Sequence, residues 1–390
     1  MSARATCPAC GGSDLRDLYH LPAIPAQSVV LLETAEAAQN FPTGELTLTL
    51  CHLCGFLFNS TFDASLVDYA GTTEESQHFS GTFNRFAQGL ARELTERQDL
   101  SNRFTLEIGC GKGDFLTELV SQSGSRALGI DPGYIPERSA KDIAPEIRFL
   151  RDYFHPAQVA EVPDLIVCRH TLEHIADVRP FIEDMVAVTA GQSRTQVMFE
   201  TPDVARVLAE GAFWDIYHEH CSYFTIGSHA RLLRRAGLDV SHSRLAYHGQ
   251  YIIQYATPGQ GMPRPEEEDL AQILALAEAF PTRVAAARRT WTNKVQSAAR
   301  AGGRVAIWGG GSKGVSFLTT NSLGPEVSHV IDINLHKQGK FMPGTGHVVS
   351  APEALRDAPP DLVIVMNPVY LAEIRSELEF MGLSPEVVAL

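Results

Sequence analysis

The stretch "WDIYHEHCSYF", Trp214 to Phe224, sets three titratable side chains, His218, Glu219 and His220, between Tyr217 and Tyr223. An imidazole titrates near neutrality and can take a proton from a reacting carbon or hydroxyl, while a carboxylate orients it and a phenol hydrogen-bonds the same substrate. Two further constellations accompany it. "CPAC" and "CHLC" pair Cys7 with Cys10 and Cys51 with Cys54, so that two tight turns converge four thiolates, the donor set of a structural zinc site with no open position for chemistry. Two unrelated reduced pairs or a redox site are the alternatives, but the first knuckle lacks the βαβ setting of redox motifs. The third constellation is a pair of glycine loops.

In the first loop, "FTLEIGCGKGDFLTELV" reads as an apolar strand, a turn carrying Gly109, Gly111 and Gly113, and the start of an amphipathic helix. "RALGIDPG" adds a second strand ending in Asp131, the spacing at which an acid meets ribose hydroxyls in Rossmann-type units. A nucleoside fits between them. In the second, "GRVAIWGGGSKGVSFL" sets Gly309, Gly311 and Gly314 in G-x-G-x-x-G spacing, and "VSHVIDIN" supplies Asp332 at the end of the next strand. Taken alone this is a dinucleotide fingerprint, although such a loop can also hold another ligand or serve close packing.

The elements that must position these groups belong to a folded chain of two or three domains: 390 residues, 44% hydrophobic and 20% charged. A net charge of -14 disfavours a nucleic-acid surface and favours a small-molecule partner. "MSARATCPAC" lacks the apolar region of a signal peptide, and no run approaches the roughly 18 apolar residues of a membrane span, so a cytoplasmic protein without a membrane partner is expected. "PRPEEEDLAQILALAEAFPTRVAAARRTWTNKVQSAARAGG" predicts one or two helices, with its acidic run as a solvated helix start.

"EIGCGKGDFL" followed by "GIDP" resembles motif I and its acidic partner in class I S-adenosylmethionine methyltransferases, whose cofactor has no pyrophosphate. That resemblance implies Glu107, Gly109, Gly111, Gly113 and Asp131 at the cofactor, Asp152 of "RFLRDYF" at adenine, and "DLIVCRHTLEHIADV" as the fourth strand segment. Over nearly the whole chain, the order of the knuckles, "EIGCGKGDFL", "YHEHCSYF", "GGGSKG" and "NLHKQGKFMPGT" resembles the three-domain sugar C-methyltransferases of deoxysugar biosynthesis. The implied fold is α/β: a class I Rossmann-like core at 69–245, flanked by a four-cysteine zinc domain at 1–68 and a second Rossmann-like domain at 246–390. The implied reaction is carbon methylation of a nucleotide-linked keto sugar, and the "HKQGKFMPGT" match argues against NAD(P).

By the same resemblance His220 is the general base, Tyr217 hydrogen-bonds the acceptor and Glu219 orients or charges the imidazole. His174 is a second candidate base, His218 a packing histidine and Cys221 a small core residue. Tyr247, His248 and Gln250 are candidates for the acceptor pocket. Two features depart from the family: Thr73 stands where a Tyr commonly precedes "EESQ", leaving Tyr69 as the nearest tyrosine, and bulky Phe213 and Trp214 precede the cluster. Methylation of oxygen or nitrogen in a non-sugar intermediate stays open, as do an oxidoreductase using the second loop and a noncatalytic binding module.

Overall fold

The computed structural model describes residues 3–71, 73–138 and 146–390. At the N-terminus β1 (Leu15–Pro25), β2 (Thr43–Cys51) and β3 (Leu57–Asn59) pair antiparallel, and Gly55, at φ 70°, turns the chain from the second cysteine knuckle into β3. Glycine tolerates that left-handed backbone without a Cβ clash.

The central sheet is built from β4 (Phe104–Ile108), β5 (Arg126–Ile130), β6 (Ile147–Leu150), β7 (Leu165–Arg169) and β8 (Gln196–Pro202). Every residue of β4 and β7 is buried, as expected of parallel strands covered on both faces. The next strand, β9 (Ser222–Tyr223), leaves this sheet and pairs antiparallel with β3. A hairpin of β10 (Leu238–Ala246) and β11 (Tyr251–Pro258) then completes the order β10-β11-β8-β7-β4-β5-β6. This hairpin straddles the expected boundary at residue 246, because β11 is the antiparallel neighbour of β8.

The C-terminal sheet, β12 (Val305–Trp308), β13 (His329–Ile331), β14 (Val349–Ser350), β15 (Leu362–Val365) and β16 (Glu386–Ala389), runs wholly parallel in the order β14-β13-β12-β15-β16. The expected α/β architecture is observed. The central and C-terminal sheets each reverse their winding at their first parallel strand, β4 or β12, and open α/β sheets bind ligands in the crevice at such a switch point.

One continuous helix, Leu270–Arg300, joins the two sheets and lays Ile273, Ala277, Phe280 and Val284 along a single apolar stripe. The segment Pro265–Arg300 is long and apolar enough to cross a membrane by length and composition, yet its stripe packs on β1 and on the helix Val204–Glu210. The acidic run before it is not simply solvated: Glu267 is buried on Arg234, and Asp269 accepts from Arg231 and from the backbone of Gly227.

Candidate active site

A cavity of about 830 Å³ lies between the two sheets, and both glycine loops line it. In the first loop Gly109, Gly111 and Gly113 have φ of 73°, 54° and 86°. A Cβ on Gly109 would stand 1.9 Å from Thr171 Oγ1, and one on Gly113 2.6 Å from the Phe149 ring, so neither position admits a side chain. Asp131, at the end of β5, accepts the amide of Gly111 at 2.8 Å and that of Gly133 at 2.7 Å, which fixes the loop. Glu107 sits beneath it with one carboxylate oxygen unpartnered, and burial raises its pKa to about 8. Gly109 and Gly111 line the cavity with bare backbone, which suits the close approach of a nucleoside cofactor.

Asp152 lies outside the cavity wall, its carboxylate held by the Tyr153 amide and Gln158, whereas Tyr153 and Phe154 line the cavity.

His220 faces the cavity and is ringed by Tyr217, with centroids 4.6 Å apart, and by His174, edge-on at 4.8 Å. Burial, with help from neighbouring His174, holds its pKa well below the ordinary 6.5, so the ring is neutral and keeps a free lone pair at neutral pH. His174 Nδ1 hydrogen-bonds the Tyr69 hydroxyl at 3.0 Å, and together with Glu173 the two imidazoles bring donor atoms within 4.8 Å of one another. Tyr217 donates to Asp215 at 3.0 Å, and burial keeps its phenol protonated well above the usual range. Burial would raise the Asp215 pKa, but Lys313 of the second glycine loop and Arg206 reverse this and hold it low.

Glu219 does not meet the imidazole as expected. Its carboxylate accepts the amide of Ser28 at 3.1 Å and also the Ser28 hydroxyl, which lies 2.7 Å from Ser312, so the bond ties the three domains together. His218 is fully buried against the Phe62 ring, the Ala26 carbonyl and Gly44, the packing role expected of it. Cys221 is a core residue whose carbonyl accepts from Asn59, next to the point where β9 joins the N-terminal sheet. Phe213 and Trp214 pack on Phe317 and Trp291 outside the cavity wall.

Gln250 lines the cavity and pairs reciprocally with Asn367 at 2.8 and 3.2 Å. Tyr247 stacks on Tyr251 beside it, while His248 lies in the exposed turn. Sequence reasoning missed Tyr251, Tyr370 and the buried network of Arg169, His170 and Glu200. Burial would lower the His170 pKa, yet Glu200 and Glu173 raise it to about 9. Its φ of 47° at the end of β7 is the one backbone signal, and no sequence pattern announces it.

The second loop repeats the design of the first. Asp332 accepts the amide of Gly310 at 3.0 Å, Lys337 stands 3.5 Å from the same carboxylate, and Ser312, Lys313 and Asn334 face the cavity. At the far end of the N-terminal sheet the Cys7 and Cys54 sulfurs are 3.7 Å apart and those of Cys10 and Cys51 3.6 Å. A tetrahedral zinc with Zn–S of about 2.3 Å spaces its sulfurs by roughly 3.8 Å, so these four fit.

The methyltransferase-domain family matches residues 80–243, and the family of C-methyltransferase C-terminal domains matches residues 260–383. The C-methyltransferase NovU of Streptomyces niveus is 26% identical over 401 residues, spanning 96% of this chain and 92% of NovU. This protein is an S-adenosylmethionine-dependent methyltransferase. The enzyme is also 31% identical over 91 residues to the ubiquinone biosynthesis O-methyltransferase of Salmonella enteritidis, covering 22% of this chain and 37% of that one. Among solved structures, the Burkholderia thailandensis 1,6-didemethyltoxoflavin-N1-methyltransferase, with bound 1,6-didemethyltoxoflavin and S-adenosylhomocysteine, overlaps 46% of this chain and 82% of its own at 17% identity and TM-score 0.37.

Proposed function

We propose that this methyltransferase alkylates an acidic carbon of a nucleotide-linked keto-deoxysugar, with His220 as general base. One observation carries the reading: a single cavity is lined by both glycine loops, with the neutral imidazole of His220 in its wall. The volume suits a cofactor and a nucleotide-sized acceptor together. NovU, called a C-methyltransferase and matched over nearly its full length, supports carbon as the acceptor atom.

S-adenosylmethionine supplies the electrophilic methyl group. Gly109, Gly111, Gly113 and Asp131 would hold the cofactor, with Glu107 beneath, and the loop Gly309–Gly314 with Lys337 would receive the nucleotide diphosphate through backbone amides and positive charge. For a 4-keto sugar His220 takes the proton from the carbon beside the ketone, and the resulting enolate carbon becomes the nucleophile. Tyr217 has its proton committed to Asp215, so its lone pairs favour accepting from an acceptor hydroxyl. His174 is the reserve base, and Glu219 stiffens the segment through Ser28. A zinc ion held by Cys7, Cys10, Cys51 and Cys54 would lock the sheet to which β9 is joined.

Incubation with methyl-13C-labelled cofactor and a nucleoside diphosphate 4-keto-6-deoxyhexose tests the reading. Carbon NMR should show the label bonded to carbon. A label bonded to oxygen or nitrogen would overturn it.

A further inference from the structure

The segment Thr73–Ser80 joins the N-terminal and central domains along the cavity and is fastened from several sides. The Glu74 amide donates to the Val29 carbonyl at 2.8 Å, and its buried carboxylate pairs with Arg138 and accepts from Asn334 of the C-terminal domain at 3.0 Å. Ser76 donates to Asp114, in the first turn of the helix after the first glycine loop, at 3.1 Å. Gln77 accepts from Tyr370 at 3.0 Å. Glu75, between these anchors, is thereby held over the loop, with Oε1 3.0 Å from Lys112 Nζ and 3.3 Å from where a Cβ on Gly111 would stand.

Glu75 is the more accessible member of the Glu75–Lys112 pair. The Lys112 side chain is 1% exposed and also donates to the Gly133 carbonyl, whereas that of Glu75 is 42% exposed and lines the cavity. That exposure is to the cleft, whose walls leave the carboxyl short of solvent: burial raises its pKa even though Lys112 opposes the shift. Its other oxygen accepts from the Thr73 hydroxyl at 3.3 Å, and the accessible carboxylate has room in the cleft for a second cation. Of the other carboxylates at this loop, Asp131 accepts two backbone amides and Glu107 has one oxygen buried and unpartnered.

The methionyl end of S-adenosylmethionine carries an ammonium group, and a ligand lying across Gly111 brings that end to the loop. We propose that Glu75 is the residue that binds the cofactor's ammonium, and that the connection between the first two domains therefore forms part of the cofactor site. This rests on the cofactor assignment and adds a residue that the glycine-loop motif does not contain.

Calorimetry with two ligands separates this role from a structural one. S-adenosylhomocysteine keeps the ammonium; 5′-methylthioadenosine shares the nucleoside and sulfur but lacks the amino-acid end. Glu75→Gln should weaken S-adenosylhomocysteine roughly 10- to 100-fold, the scale of one charge-assisted hydrogen bond, and leave 5′-methylthioadenosine within about twofold. Glu75→Asp, which keeps the charge, should recover part of the loss. Equal losses for both ligands would mean that Glu75 only shapes the loop, and no loss for either would mean that it is idle; each overturns the inference. A wild-type enzyme that binds neither ligand would instead overturn the cofactor assignment on which it rests.

Discussion

The ion cluster of Arg206, Asp215 and Lys313 makes a prediction about which of its members the fold can least afford to lose. Lys313 comes from the C-terminal domain and the other two from the central domain, with side chains 20% exposed for Lys313, 18% for Arg206 and 11% for Asp215. Both pKa values are lowered, which favours the charged form of Asp215 and disfavours that of Lys313. Asp215 is held well below its ordinary 3.8, so ionisation is favourable there, whereas burial and the nearby Arg206 lower Lys313 despite the pull of Asp215. The stabilisation therefore resides with Asp215. Removing one partner of a buried pair costs about 3–5 kcal/mol when an uncompensated charge remains. Asp215→Asn leaves two cations facing each other and should cost in that range. Lys313→Met leaves Asp215 on Arg206 and removes a costly buried ammonium, so it should fall below the range, at about 1–2 kcal/mol. Urea unfolding at pH 7, read on the first cooperative transition, measures both variants and their double. The depressed carboxyl contributes fully above its unfolded value and loses that contribution as pH falls through its folded value, so the Asp215→Asn deficit should shrink only below about pH 3.8. A larger cost for Lys313→Met, or strict additivity in the double variant, would refute the reasoning.

Asp131→Ala removes an acceptor shared by two loop amides, so S-adenosylhomocysteine affinity should fall by roughly 10-fold or more in calorimetry. Metal analysis of purified protein should find about one zinc per chain, as four converging thiolates require, and Cys51→Ser should lower the yield of folded protein more than the turnover of what survives. Because His220 is neutral down to a pKa well under 6.5, turnover should hold from neutrality to below that value and then fall as the base protonates, whereas an acid limb above pH 6.5 would contradict the burial argument.

Much of this architecture was legible because its signals are local. The cysteine spacing brought four sulfurs together, and each glycine loop stands at the end of a buried strand with its acid on the next. His218 read as packing and is packing. What stayed hidden depends on long-range pairing. The pairing of β9 with β3, the bond from Ser28 to Glu219 and the contact of Lys313 with Asp215 join residues from different domains, which no spacing encodes. The Asp152 carboxylate is instead engaged locally, by the Tyr153 amide and Gln158.

The central claim is that His220 removes a proton from carbon, and solvent exchange tests it most directly. Wild-type enzyme with S-adenosylhomocysteine and a nucleoside diphosphate 4-keto-6-deoxyhexose in deuterium oxide should wash deuterium into the carbon beside the ketone. His220→Ala should abolish the wash-in while binding S-adenosylhomocysteine normally, and with active cofactor should turn over roughly 100-fold more slowly or worse, the scale of a lost general base. Exchange at the wild-type rate in His220→Ala would contradict the account and shift the role to His174.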